Sequence, residues 1–169
     1  MLAYVDENAF WQLIEDCAPT TPDPDAERLV AALTARLVAG PLGTVKQFAE
    51  HLSWALYRLD RREYGQDLSG DAFLYTRAAV VAAGRETYDR VLRDPAAFEP
   101  FASGLVWAED LLYVPDRAYE HLTGEEWERR TRYCYESYSN TAGWARSQQD
   151  LALPWGRGHG PATRASTTA

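Results

Sequence analysis

Lysine is almost missing from this chain of 169 residues: Lys46 is the only one among 17 basic residues, and the other cations are arginines. Methionine occurs once, cysteine twice and histidine three times. Cys17 and Cys134 stand far apart with no C-x-x-C spacing, so neither a zinc knuckle nor a structural disulfide is expected. His51, His121 and His159 form no H-x-x-x-H or H-E-x-x-H pair, which removes the usual sequence signs of a metal site. No apolar run approaches the length needed to cross a bilayer, and Met1 to Glu7 has no basic stretch leading into an apolar one. A cytoplasmic protein with reduced thiols is the resulting expectation. Phosphate-cradling loops are missing too, since Gly156-Arg157-Gly158-His159-Gly160 follows no strand pattern and leads into no Lys-Ser/Thr.

What is present is acid and aromatic. The net charge is −8 and the pI about 4.9, a balance that disfavours binding to nucleic acid, which relies on neutralising phosphates. Six Trp, ten Tyr and five Phe are many for this length and predict a ring-rich core. Apolar residues at 46% and charged residues at 25% match folded soluble proteins, so the chain can bury one sizeable core.

The apolar spacing is helical nearly throughout. Asp6 is placed to cap a first helix with Phe10, Trp11, Leu13 and Ile14 on its apolar face, ending near Cys17. Pro22 and Pro24 with Asp23 and Asp25 make a turn, and a second helix follows to Gly40-Pro41. Thr44 with Gln47 reads as a capping box for a third helix through Leu59, and after Arg61-Arg62-Glu63-Tyr64-Gly65 the chain is expected to loop. Ser69 or Asp71 caps a helix to about Ala83, Gly84 interrupts it, and Arg85 to Leu92 forms the next segment. Asp94-Pro95 opens a single turn, and Leu105 to Leu122 is helical but interrupted at Pro115, either by a kink or by two helices meeting near Val114. A last helix is expected over Trp127 to about Tyr138. The prediction is an all-α fold: one compact domain of about six to eight helices over residues 1–146. A flexible tail, rich in Gly, Pro, Ser and Thr, is expected over 147–169.

Arg77 is the residue that breaks the pattern. It shares a helical stripe with Phe73, Val80 and Val81, so its side chain heads for the core and needs a partner there. Two readings stay open. Arg77 pairs with Asp71, Glu109 or Asp110 as a structural ion pair, or it forms an anion-binding pocket with Arg85, Tyr75, Tyr88, Asp71 and Glu109. Glu109-Asp110 precedes Leu111-Leu112, which would turn one carboxylate inward and leave the other outside. Trp11, Trp54, Tyr57, Tyr75, Tyr88, Trp107, Tyr113 and Tyr119 are expected to fill the core, and Cys134 to be packed between tyrosines.

The last predicted helix differs from the others, because aromatics and arginines are interleaved along it with little striping. Trp127, Arg130, Tyr133, Tyr135 and Tyr138 have the composition of a protein interface.

The stretches Asp6-Glu7-Asn8-Ala9-Phe10-Trp11-Gln12-Leu13-Ile14, Asp71-Ala72-Phe73-Leu74-Tyr75-Thr76-Arg77 and Gly84-Arg85-Glu86-Thr87-Tyr88 share order and spacing with a known family. So do Leu56-Tyr57, Asp94-Pro95 and Ala118-Tyr119-Glu120 with Thr123-Gly124. Over about residues 4 to 127 the chain resembles a bacterial family catalogued as domain of unknown function 4240. The resemblance implies a single compact helical domain and brings no activity, substrate or cofactor with it. One departure is local: Thr76 and Ala79 stand where the family pattern leads one to expect an aromatic and a tryptophan.

Together these features favour a non-enzymatic protein-interaction or regulatory module that binds another protein or itself, with no cofactor, metal, nucleic acid or membrane. The alternative is a small-anion-binding pocket or an undiscovered enzyme centred on Arg77 and Arg85.

Overall fold

The computed structural model describes residues 6–145, so the expected tail lies outside the described residues. All regular structure among those residues is helical, as predicted, in nine α-helices and two 3-10 turns. In order these are α1 Glu7–Cys17, α2 Glu27–Val38, α3 Leu42–Leu59, α4 Arg62–Gly65, α5 Gly70–Ala82, α6 Arg85–Arg93, α7 Glu99–Ser103, α8 Val114–Thr123 and α9 Thr141–Trp144. The 3-10 turns, Pro95–Phe98 and Glu109–Tyr113, lead into α7 and α8.

Local chemistry explains most boundaries. Asp6 accepts the Ala9 N–H at 2.8 Å to start α1, and Ser69 accepts the Ala72 N–H at 3.3 Å to start α5. The carboxylate of Asp23 reaches across the turn to the N–H groups of Arg28 and Leu29, capping α2 from a distance. Those backbone bonds outweigh the burial that opposes ionisation and hold the Asp23 carboxyl below its ordinary range. Gly84 ends the α5 run at φ 91, a conformation that suits glycine alone. Pro115 sits in the first turn of α8, where no intrahelical N–H is needed, so the 3-10 turn and helix meet at Val114.

Helix α5 is the hub. It buries an almost unbroken run from Phe73 to Val81 and packs on α3, α6, α7 and the 109–113 turn. A helix apolar around its whole circumference belongs in the middle of a bundle. Helix α8 closes one side against α2 and α3. Rings from α1, α3 and α6 interlock through Phe10, Trp11, Phe48 and Tyr88 with centroids 4.8 to 5.1 Å apart, while Tyr64, Phe73, Phe98 and Trp144 form a second cluster.

Several expectations need correction. Helix α3 opens at Leu42, ahead of the Thr44 capping box, because the Thr44 N–H already donates to Pro41 O at 2.9 Å within the first turn. Ahead of the expected loop, α4 makes a single helical turn at Arg62–Gly65. It is held by the buried Tyr64 hydroxyl donating to Val91 O at 3.1 Å, and Gly65 lies so close to the Phe73 ring that a Cβ there would stand 2.6 Å away. The helix expected over Trp127–Tyr138 does not form. Residues 125–140 run in an irregular, largely extended path in which inward and outward residues alternate from Trp127 to Ser139. Trp54, Trp107 and Tyr113 are about two-fifths exposed instead of filling the core, Glu109 and Asp110 both face outward, and Cys134 is exposed.

Candidate functional site

Arg77 is fully buried, at 0% exposure, and has no carboxylate at ion-pair distance among the described residues. Its fork is spent on the backbone. One terminal nitrogen donates to Leu56 O of α3 at 2.9 Å; the other donates to Tyr135 O at 3.0 Å and Ser137 Oγ at 2.9 Å in the 125–140 segment. The guanidinium also lies over the Phe73 ring at 4.7 Å, and its Nε finds no hydrogen-bond acceptor. Burial pulls the Arg77 pKa down to about 10, against the nearby charge of Asp60, which favours the cation. The expected partners Asp71, Glu109 and Asp110 are all exposed, and Asp110 pairs with Arg117 at 2.6 Å.

Asp60, which the sequence reading passed over, is the complement of Arg77. It too is buried at 0% exposure. Its Oδ1 accepts the Tyr138 N–H at 2.9 Å and the Trp144 indole N–H at 2.7 Å. Its Oδ2 accepts the Asn140 N–H at 2.8 Å and the Ser139 hydroxyl at 3.1 Å. The division of labour is chemical: a guanidinium only donates and takes carbonyls, whereas a carboxylate only accepts and takes amides. Between them the two groups bond Tyr135 O and the N–H groups of Tyr138 and Asn140, and fix a turn in which Tyr138 has φ 71°. A signal for Asp60 exists in the sequence, as an acid directly after Leu59 at a helix C-terminus opposes the helix dipole and calls for a reason.

The remaining pocket candidates point elsewhere. Tyr88 is buried, with its ring on Trp11 at 4.8 Å and its hydroxyl donating to Ala55 O at 3.0 Å. Burial raises its pKa. Arg85 donates to Asn8 Oδ1 at 2.6 Å and faces Asp89 at 3.7 Å. Tyr75 lies edge-on to Trp107 at 6.0 Å, and its phenol is pushed up by burial and by neighbouring Glu109, which also accepts the Tyr113 hydroxyl. These contacts take Arg77, Tyr88, Arg85 and Tyr75 to different neighbours.

The five interface candidates lie along the extended segment and divide by the alternation. Trp127 stacks on Tyr119 at 4.8 Å and 11°. Tyr135 is buried, with its hydroxyl towards Ala49 O and the Arg129 guanidinium 3.8 Å above its ring. Arg129 in turn pairs with Asp116 at 2.9 Å, yet burial dominates and raises the Asp116 pKa. Arg130 is exposed with only a 4.0 Å approach to Glu128, and Tyr138 is 50% exposed with its ring against Trp144. Tyr133 joins Trp54 and Tyr57 of α3 in a surface cluster with centroids 4.6 to 6.1 Å apart.

That cluster borders a slot of about 280 Å³ lined by Trp54, Tyr57, Arg58, Arg61, Leu92 and Asn140. Trp54 is 37% exposed at its rim, and Arg132 lies over the outer face of Tyr133 at 5.6 Å. Neither Trp54 nor Arg58 was singled out from sequence as part of a site. Trp54 was expected in the core, and the slot forms only where the returning chain brings Asn140 against α3 and Leu92. A larger, shallower groove of about 570 Å³ runs between α2 and α8, with Val30, Ala31 and Val38 on its floor and Asp110, Arg117 and His121 on its rim. Among the described residues, no group of three or more His, Cys, Asp or Glu side chains is placed to hold a metal ion. No helix there is long and apolar enough to cross a membrane.

A family model described as a protein of unknown function, DUF4240, matches residues 5–121, from just before α1 to the last turn of α8. The segment that binds Arg77 and Asp60 lies beyond the matched range. No curated protein and no solved structure matches the chain.

Proposed function

From the premise that the chain belongs to the DUF4240 family, we propose that it is a non-enzymatic protein-interaction module whose contact surface is the Trp54, Tyr57 and Tyr133 cluster. One observation carries this reading. Three rings pack in stacked and tilted contacts at the surface beside three arginines, Arg58, Arg61 and Arg132, and tryptophan, tyrosine and arginine dominate binding hot spots. The cluster is held on a rigid base, since the segment bearing Tyr133 is tied to α3 and α5 through Asp60 and Arg77. A pre-ordered surface loses less entropy on binding than a mobile one. The small-anion alternative has less support, because Arg77 is enclosed by protein acceptors and Arg85 is engaged by Asn8 and Asp89.

A photo-crosslinking residue placed at position 54 of the full chain tests the reading, with position 35 on the opposite α2 face as control. A discrete adduct is expected at position 54, with a partner or a second copy, and it should disappear in Tyr133→Ala while the melting temperature changes little. Equal labelling at both positions, or an adduct untouched by Tyr133→Ala, overturns it. Light scattering then separates self-association from a different partner.

A further inference from the structure

Among the cations around the slot, Arg58 is unlike its neighbours. Arg61 faces Glu63 at 3.2 Å, and Asn140 is used up, donating to Tyr57 O and accepting from Gly143 N–H. Arg58 lies half-buried between two rings, 5.8 Å from the Trp54 centroid and 5.9 Å from that of Tyr88, and its contacts are to those rings rather than to any carboxylate. A guanidinium fork that stacks on aromatics keeps its N–H edge free for a planar oxyanion. On a chain of net charge −8, a half-buried cation with no carboxylate at ion-pair distance among the described residues is a local exception to the prevailing sign.

We propose that this slot receives a short acidic peptide segment of the partner, one carboxylate meeting the Arg58 fork while a neighbouring ring or aliphatic side chain lies between Trp54 and Leu92. The inference rests on the interaction reading above and names its partner's chemistry. The slot is small, about 280 Å³, at the lower edge of the roughly 300–1,000 Å³ usual for small-molecule sites. It suits one or two side chains. Charge argues for a short acidic stretch: Glu63 already faces Arg61, and a longer acidic run would meet an acidic molecule beyond the slot. A carboxylate there would form charge-assisted, bidentate hydrogen bonds in a partly water-excluded setting, where such bonds are strongest.

The test uses the full chain and a capped nonapeptide carrying a single Glu-Tyr pair in an Ala/Ser background, with its Gln-Tyr counterpart as control. Binding is followed by NMR through the Trp54 indole and Arg58 Nε–H signals. Both signals are expected to shift on saturation with the Glu peptide, with affinity about tenfold lower for the Gln peptide. Arg58→Met should weaken the Glu peptide about tenfold and leave the Gln peptide unchanged, whereas Arg58→Lys, which keeps the charge, should retain part of the preference. Equal affinity for the two peptides, or indifference to Arg58→Met in a folded protein, overturns the proposal. So does a free aromatic acid such as 4-hydroxyphenylacetate binding as tightly as the peptide, which would make the slot a small-ligand site. If the position 54 adduct persists while the Glu peptide shows no preference, the acidic-segment inference falls and the interaction reading stands. Loss of both removes the reading itself.

Discussion

Burying an arginine without a carboxylate is costly unless every donor finds an acceptor, and Arg77 nearly meets that condition through Leu56 O, Tyr135 O and Ser137 Oγ. The cost and the gain can be separated by substitution. Arg77→Met removes the buried charge, which helps, and orphans two main-chain carbonyls, which hurts by about 1–3 kcal/mol for each group left unpaired. Relief of the buried charge offsets part of that loss, so the net expectation is a loss of about 2 kcal/mol, read as a lower urea midpoint with an unchanged m-value. Arg77→Lys keeps the charge but replaces the planar fork by a single ammonium that cannot span α3 and the 125–140 segment, so it should cost at least as much. A lysine variant as stable as the parent would mean that charge, not geometry, is what the site requires. Asp60 gives the converse case. Asp60→Asn keeps the shape but turns an amide NH₂ towards donors, setting it against either Tyr138 and Trp144 or Asn140 and Ser139. Only the Ser139 hydroxyl can reverse to accept, so one buried N–H stays unsatisfied and the variant should lose about 2 kcal/mol. Hydrogen exchange should quicken at residues 138–144 in Asp60→Asn and stay slow in α3 and α5; uniform quickening would show that the segment is not the part Asp60 secures.

At the scale of elements, legibility followed period and caps. Asp6, Ser69 and Gly84 set boundaries that the sequence reading anticipated, since each acts on its own neighbours within a few residues. Pro115 was legible for the same reason. The 125–140 segment was not, because its conformation is decided by Asp60 and Arg77, which lie more than fifty positions away in the chain. A local clue was present: Trp127, Arg129, Thr131, Tyr133, Tyr135, Ser137 and Ser139 turn inward at a period of two, and Tyr, Thr, Cys, Ser and Asn are modest helix formers. The arginines inserted between the rings hid that period from an apolar count. The same segment accounts for the fate of the interface candidates. Aromatic and arginine content marks a surface made for contact, and here much of it contacts the chain's own α3 and α8, leaving Tyr138 and Arg130 exposed and Tyr133 half-buried against Trp54 and Tyr57. The Trp54 slot arises only where the two elements meet, so neither stretch of sequence could display it alone.

For the molecule as a whole, the ring-rich core makes stability depend on alkaline pH through its tyrosines. Burial raises the phenol of Tyr64 to about 12, and burial raises those of Tyr88 and Tyr135 as well, because their hydroxyls donate to backbone carbonyls in places where a phenolate would be desolvated. In the unfolded chain all three would ionise near pH 10. Between that value and their folded values the native state holds more protons, so ΔG of unfolding falls as pH rises. Below pH 10 their full contribution is present. Arg77 acts with the opposite sign: its folded value of about 10 lies below the ordinary 12.5, so over that interval the unfolded chain binds the extra proton and the cost of burying the cation shrinks. Three phenols against one guanidinium leave a net loss. Titration followed at the phenolate absorbance should therefore show fewer than the ten tyrosines ionising reversibly in the native protein. The remainder should appear in a single cooperative step that coincides with loss of the helical circular dichroism signal. Tyr88→Phe removes one of the late group and should reduce that step by one phenol, while leaving the Ala55 carbonyl without its hydroxyl donor and costing about 1 kcal/mol at neutral pH. Ten tyrosines titrating smoothly before any loss of helix would mean that the interior admits water to these rings, and the rigid base assigned to the Trp54 surface would go with it.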